Sequence, residues 1–252
     1  MKVIILIEKY GGNCNRLFQS LHYHSYAIDN QYIFLNPSIM GILKFNNYFF
    51  NILDKIRNQI LKFLSRIISI FCKENDFCIN LGKKFSIRIV RGWDFRAYDL
   101  TLKHQKRLKD IYRFYDENLD KSSLSLKNFL NQKKQIGKFL VGLHIRRGDY
   151  KNWNDGKYFF DDDFYKKIIY KVREQLKKDN EDPFVIAVSD QKIKAGLGFD
   201  FVSNGSWIED QIALQKCDLL IGPPSTFTMW ASYLSKIPLI QLKSKIALIL
   251  KK

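Results

Sequence analysis

Cysteine is scarce in this chain and follows no pattern. Its four copies, Cys14, Cys72, Cys78 and Cys217, form no CxxC pair and have no histidine at metal-ligand spacing. This excludes the common zinc modules and leaves a reducing, cytosolic setting as the expectation. Long apolar runs are missing too. MKVIILIEKY holds five consecutive apolar residues before Glu8 and no small-residue cleavage site, so it reads as a first strand rather than a secretory signal. The stretch QILKFLSRIISIF, 59 to 71, is interrupted by Lys62 and Arg66, which excludes a membrane-spanning helix. Its apolar residues recur at three- and four-residue spacing and predict a core-facing helix; the alternative is a basic helix resting on anionic lipid at a membrane surface. Internal repeats and low-complexity tracts are absent. Acidic residues are few, 25 against 42 lysines and arginines, for a net charge of +17. Such an excess suits an anionic partner (nucleic acid, phospholipid or a phosphorylated small molecule), although solubility alone accounts for it equally well. What the chain does have is a core: 46% hydrophobic and 15% aromatic residues exclude a disordered protein.

The first part reads as a strand at Val3–Ile7, a glycine turn at Gly11 and Gly12, and a helix to about Asp29. A short strand follows near residue 33, with another at SIRIV, 86 to 90. A basic helical stretch, LKHQKRLKDIYRFYDENL, leads into polar KSSLSLKNFLNQKKQIGK, where the domain boundary is placed: 1–137 and 138–252. Beyond it, strands (FLVGLHI, PFVIAVSD, FDFVSN, DLLIG, IPLIQL) alternate with helices (FDDDFYKKIIYKVREQLKK, WIEDQIALQKC, STFTMWASYLSK). That alternation predicts parallel βαβ units, whose ligands sit at the carboxyl ends of the strands.

Those ends hold Gly11, Gly12, Asn13 and Asn15; then His144, Arg146 and Arg147; then Ser189 and Asp190; and finally Gly222 to Thr226. Guanidinium groups grip phosphate oxygens bidentately, and a Ser/Thr pair opening a helix offers hydroxyls and backbone amides. Together they suggest a diphosphate pocket. Each has a plainer reading. The GG turn lacks the full GxGxxG pattern, Ser225 and Thr226 suit a helix cap, and Asp190 suits a turn. The arginines are harder to explain away, because neighbours on a strand point to opposite faces and at least one must find an anion. DDD at 161 to 163 matches the metal-binding DxD pattern, but acids opening a helix are read here as its cap. Of the tryptophans, Trp230 is expected in the core, and Trp153 is the best placed for a sugar.

The combination resembles a family. HIRRGDY, 144 to 150, is similar to the HxRRxD signature of the fucosyltransferases that make α1,2-, α1,6- and protein O-linked fucose, and most of all to the α1,2-fucosyltransferases of glycosyltransferase family 11. GGNCNRLFQ at 11 to 19, VSDQ at 188 to 191 and EDQIALQKCDLLIGPPSTFTMWASYL at 209 to 234 resemble its other motifs, in the same order. The sequence departs from the pattern at Asn13, Cys14, Arg16, Pro224 and Met229.

The resemblance implies an α/β, GT-B-like fold: two Rossmann-like halves with a cleft between them, an acceptor-side N-terminal half and a nucleotide-sugar-binding C-terminal half. It implies an inverting fucosyltransferase with GDP-fucose as donor, a glycan acceptor, no cofactor and no metal. Arg146 would be the catalytic pyrophosphate contact, and Arg147 a structural support paired with Asp149. His144 would face the nucleotide, Asp190 the guanine or ribose. Ser225, Thr226 and the amides near Phe227 would hold the diphosphate, and Gly12 and Asn15 would approach the donor across the cleft. Two readings stay open beside it: a related transferase with another nucleotide sugar, and a basic nucleic-acid-binding protein. A place in the cytoplasm at the inner face of a membrane would suit work on lipid-linked glycans.

Overall fold

A computed structural model describes residues 2–7, 10–39, 42, 59, 63, 76–80, 86–114, 116, 119–194, 196–203 and 205–244. The expected helix at 59–71 lies almost wholly outside them. The chain divides into two compact units, 1–119 and 120–252.

In the first unit, strand β1 (Lys2–Leu6) is followed by helix α1 (Asn13–Asp29) and strand β2 (Ile33–Leu35), then β3 (Asp76–Asn80) and β4 (Ser86–Val90), and helices α2 (Tyr98–Lys103) and α3 (Gln105–Tyr112). Its sheet runs β2-β1-β4-β3, parallel except for β3 against β4. Ile4 and Leu6 of β1 meet Tyr23 and Ala27 of α1 and Val90 of β4, with Tyr26, Tyr32, Phe34 and Phe95 around them. The basic stretch from Leu102 onward was expected as one helix. It breaks at His104, whose imidazole, with the Lys103 ammonium, turns to Asp29 of α1 at 3.0 Å and 2.5 Å.

The second unit contains α4 (Lys121–Gln135), β5 (Lys138–Ile145), α5 (Asp162–Lys178), β6 (Asp182–Ser189), β7 (Phe201–Val202), α6 (Trp207–Gln215), β8 (Leu219–Gly222), α7 (Thr226–Ser235) and β9 (Leu239–Gln241). The polar stretch read as a boundary is α4, capped by the Asp120 carboxylate on the Ser123 amide at 2.8 Å. Leu126, Phe129 and Leu130, at helical spacing, seat it on the core of this unit. The units therefore divide before the helix, not at 137/138.

The sheet of the second unit is wholly parallel, in the order β7-β6-β5-β8-β9. The chain starts in the middle at β5, builds outward to β7, then returns to add β8 and β9 on the other side. Such a reversal opens a crevice beyond the carboxyl ends of the two strands at the switch, here β5 and β8. Period-two alternation along β5 sets what faces that crevice. Val141, Leu143 and Ile145 pack under α5. Leu140 packs on the other face with Ala213 and Leu214 of α6 and Ala231 of α7. Gly142 shares that face, and a Cβ there would lie 2.8–2.9 Å from Leu220, Cys217 and Leu214. Both halves are Rossmann-like α/β units, as the sequence led one to expect.

Candidate active site

The alternation continues past the last hydrogen-bonded residue of β5. It sends Arg146 to the face of His144 and Gly142, toward α7, and Arg147 to the face of Ile145, toward α5. The two guanidinium groups consequently live in different surroundings. Arg147 is only 16% exposed. Its guanidinium donates to the Phe160 carbonyl and pairs with Asp162, with the rings of Phe159 and Tyr165 at 5.5 Å and 5.4 Å. It locks the start of α5 to the end of β5. The expected support role thus has Asp162 as partner in place of Asp149. Asp149 is three residues from Arg146 and pairs with that side chain instead, Nε at 2.9 Å and a terminal nitrogen at 2.8 Å from Oδ1.

Arg146 is 32% exposed. Its partners are Asp149, itself 61% exposed, and Asp190 at 3.4 Å. A pair with so exposed a carboxylate is screened by water and costs little to exchange. It holds the guanidinium in place without closing it off. Asp190 is spent on the same loop: one oxygen accepts the Arg147 amide at 2.8 Å, and the other is the one facing Arg146. A Cβ on Gly148 would come within 2.6 Å of that second oxygen, which is why glycine follows the arginines. Asp190 thus positions the arginine loop, and its carboxylate keeps lone pairs for a further donor.

Facing Arg146 across the switch is the turn after β8. Gly222 lies against β5, where a Cβ would be 3.0 Å from that of His144. Ser225 caps α7, its hydroxyl accepting the Phe227 amide at 3.2 Å. The same hydroxyl hydrogen-bonds the Tyr150 phenol, whose own proton goes to Pro224, so an anion bound there exchanges with Tyr150 for the serine proton. Thr226, beside it, opens the helix half-exposed. Tyr150 ties the two loops together: its phenol donates to the Pro224 carbonyl, and its ring lies 5.6 Å from the Arg146 guanidinium. Burial raises the pKa of this phenol, against a hydrogen bond with Ser225 that lowers it.

His144 was expected to face the nucleotide. It is 3% exposed and lies beneath α7, its Nδ1 hydrogen-bonded to Thr228 Oγ1 at 2.8 Å and its ring 5.3 Å from that of Phe227. Burial, with the nearby charge of Arg146, lowers its pKa to about 3, so the imidazole is neutral. It supports the helix that carries the hydroxyls.

Asp210, in the first turn of α6, escaped the sequence reading. Its Oδ1 is buried without a hydrogen-bond partner. Burial pushes its pKa up to about 6, against a hydrogen bond from Ser203. The next residue, Gln211, donates to the Phe227 carbonyl at 2.8 Å, which fixes this turn to the start of α7. The one sequence signal was its place in an acidic pair, and Glu209 of that pair is consumed in a capping box with Ser206.

A hollow of about 300 Å³ lies on the Arg147 side, lined by Arg147, Asp161, Asp162, Ser189, Gln191 and Lys192 among others. Its lining mixes two carboxylates with three cations, Arg147, Lys192 and Lys194, and the Arg147 guanidinium is already bonded to Phe160 and Asp162. Asp161 of DDD caps α5 through the Phe164 amide at 2.8 Å, and among the described residues no cluster of acids, histidines and cysteines could hold a metal ion. Nor, among them, is any helix long and apolar enough to cross a membrane. Trp230 is fully buried, as expected. In the first unit, Gly12 caps α1 with an extended backbone and no side chain to offer. Asn15 lies beneath Gly11, whose φ of +58° only glycine adopts cheaply.

None of the curated proteins matches this chain. Among solved structures, it is similar to the fucosyltransferase NodZ from Bradyrhizobium, at 15% identity over 96% of this chain and 94% of that one, with a TM-score of 0.50. It is also similar to a NodZ alpha-1,6-fucosyltransferase co-crystallized with GDP (15% identity, 96% and 95% covered, TM-score 0.49). POFUT1 in complex with GDP is more distant still (8%, 96% and 96%, 0.46). The first likeness places the fold with the GT-B-like fucosyltransferases. Residues 93–245, more than half the chain, match the model of glycosyl transferase family 11, and the chain is a glycosyltransferase belonging to that family.

Proposed function

We propose that this protein transfers fucose from GDP-fucose to a glycan hydroxyl, O-2 of a galactoside being the first to test, with inversion at the anomeric carbon and without a metal ion. The observation that carries the reading is the placement of Arg146. It is a partly exposed guanidinium at the end of β5, 5.6 Å from the ring of Tyr150, whose phenol is bonded to Pro224 next to the Ser225 cap of α7.

In the proposed reaction the bond from the anomeric carbon to the β-phosphate oxygen breaks through an oxocarbenium-like state. The acceptor oxygen bonds to that carbon from the opposite side and gives its proton to water, so that the products are the fucoside, GDP and a proton. Negative charge grows on the departing diphosphate, and fixed donors aimed at it are what the protein must supply. Arg146 is that group, at the charge-developing end. Ser225 and Thr226 offer hydroxyls to the other phosphate oxygens, while His144, neutral and buried, and Phe227 fix the helix that presents them. The guanine base presents N–H donors, and we assign them to the Asp210 carboxylate, whose Oδ1 is buried without a hydrogen-bond partner. On this reading the second unit binds the nucleotide, the first serves the acceptor side, and Gly12 and Asn15 are its contacts with the donor. A cytosolic enzyme working near the inner face of a membrane remains in keeping with the basic charge.

The test is release of GDP from GDP-fucose with a panel of galactosides in EDTA, for wild type and Arg146→Ala. Turnover in EDTA that falls about 10²- to 10³-fold in the variant supports the reading, the scale expected for loss of a transition-state charge contact. Full turnover in the variant, or none in wild type without added metal, overturns it. Parallel arms with other GDP-sugars test the neighbouring donor reading. A thermal shift with a single-stranded oligonucleotide tests the nucleic-acid reading, which the net charge of +17 alone favours.

A further inference from the structure

The loop that leaves the arginine motif carries three aromatic rings in file. Tyr150, beneath the Arg146 guanidinium, lies 4.8 Å from Trp153, and Trp153 lies 5.4 Å from Tyr158, at interplanar angles of 34° and 32°. Tyr150 is 7% exposed and anchored to the Pro224 carbonyl, whereas Trp153 is 47% exposed. The chain goes to some trouble to hold it there. Asn154 and Asp155 sit at φ +51° and +54°, and Gly156 at +69°. Consecutive left-handed residues are unfavourable unless the surroundings fix them, and such strain gathers at functional sites. An exposed indole backed by two rings gains nothing for the core. The side chains around it, Asn152, Asn154 and Asp155, are all exposed, and all can bond hydroxyls.

We propose that Trp153 forms the acceptor subsite, its exposed indole packing against the C–H face of a hexopyranose residue. This rests on the glycosyltransferase reading of the same site. β-Galactosides suit such a face, because the axial hydroxyl at C4 leaves the C–H bonds at C3, C4 and C5 together on one side of the ring. The amphipathic indole takes that apolar surface, while the polar rim meets the hydroxyls at its edge. The file of rings is continuous with the donor contact: it begins under Arg146 and ends in solvent, so a sugar on Trp153 lies next to the phosphate-binding loop.

Saturation-transfer NMR with methyl β-galactoside and with lactose, on wild type, Trp153→Ala and Trp153→Phe, reads this directly, with GDP affinity measured in parallel. Transfer to the C–H protons of the galactose ring is expected for wild type and the phenylalanine variant and is lost in the alanine variant. The acceptor KM of Trp153→Ala rises about tenfold, the scale of one aromatic stacking contact, while its GDP affinity stays within about twofold. Unchanged acceptor KM in the alanine variant overturns the proposal, as does equal loss of GDP binding, which makes Trp153 a prop of the donor loop. Conversion of a wild-type dimer to a monomer in Trp153→Ala by light scattering also overturns it, since the face would then be covered by a second copy. If wild type binds galactosides through Trp153 yet releases no GDP from GDP-fucose with any of them, the proposed reaction fails and the subsite stands.

Discussion

At the carboxyl end of β1 the chain turns through Gly11 and Gly12 into a helix whose cap has no side chain and whose first turn has no acid. At the carboxyl end of β5 it leaves through Arg146 and Arg147, crosses Tyr150, and faces a helix capped by Ser225. Both are edges of mainly parallel sheets, yet at the first the Arg16 guanidinium is turned onto the Gly11 carbonyl, while at the second Arg146 meets only carboxylates and a tyrosine ring. The first unit also turns two histidines inward: His22 accepts from the Ala97 amide and His24 bonds the Tyr112 hydroxyl, and burial lowers the pKa of each to about 4. The difference teaches where a highly charged leaving group can be held. Among the described residues, the edge of the second unit presents a fixed guanidinium, Arg146, on a loop tied by Tyr150 to the hydroxyl-bearing turn that opens α7.

The sharpest way to break that comparison lies inside the second unit, between its adjacent arginines. Arg146→Ala is expected to lose about 10²- to 10³-fold in kcat with little change in Tm, because its pair with Asp149 is exposed. Arg147→Ala should do the reverse. It strips the Phe160 carbonyl and Asp162 of their shared donor, at a cost of about 1–3 kcal/mol of stability, and leaves most of the turnover per folded molecule. Equal losses of turnover in the two variants would erase the distinction drawn from strand alternation. Kinetics and a thermal melt on both proteins decide it.

That alternation was legible in HIRRGDY itself, since a buried run ending in two arginines must turn them to opposite faces. The pairing was not. Asp149 is the nearest acid in sequence to Arg147, but Asp162 arrives only when α5 folds back on Val141, Leu143 and Ile145. The order of strands and helices in the second half came through because buried apolar runs alternate there with segments of helical period. The polar composition of α4 concealed it, even though Asp120, Leu126, Phe129 and Leu130 carried a cap and an apolar stripe. Asp190 and Asp210 were indistinguishable as letters. Their roles are set by which carboxylate meets the amide of Arg147 and which is left with a buried open oxygen.

Asp210 supplies the next test. Its pKa is raised to about 6, chiefly by burial, so the folded protein holds this proton more tightly than the unfolded chain does. Ionising it therefore lowers stability between about pH 4 and pH 6. GDP binding needs the ionised carboxylate and should strengthen as pH rises through about 6. Asp210→Asn removes that step and weakens binding about 10- to 100-fold at pH 7.5, the worth of a hydrogen bond to a charged acceptor. Calorimetric titrations from pH 5 to 8 check this. A pH-independent wild type, or an asparagine variant that binds GDP normally, would return guanine recognition to some other group.

The smallest expected effects belong to the first unit, and they ask whether its glycine edge is more than a turn. At Gly11 a side chain is strained by φ +58° and collides with the Asn15 amide. Gly11→Ala should cost about 1–2 kcal/mol in stability. At Gly12 the backbone is extended and a Cβ meets nothing within 4 Å, so Gly12→Ala should melt like wild type. That neutrality makes the second variant informative. If Gly12 approaches the bound donor, a methyl group there raises the KM for GDP-fucose without touching Tm. If the edge is only a way into α1, both KM and Tm stay where they were, and the donor is bound by the second unit alone.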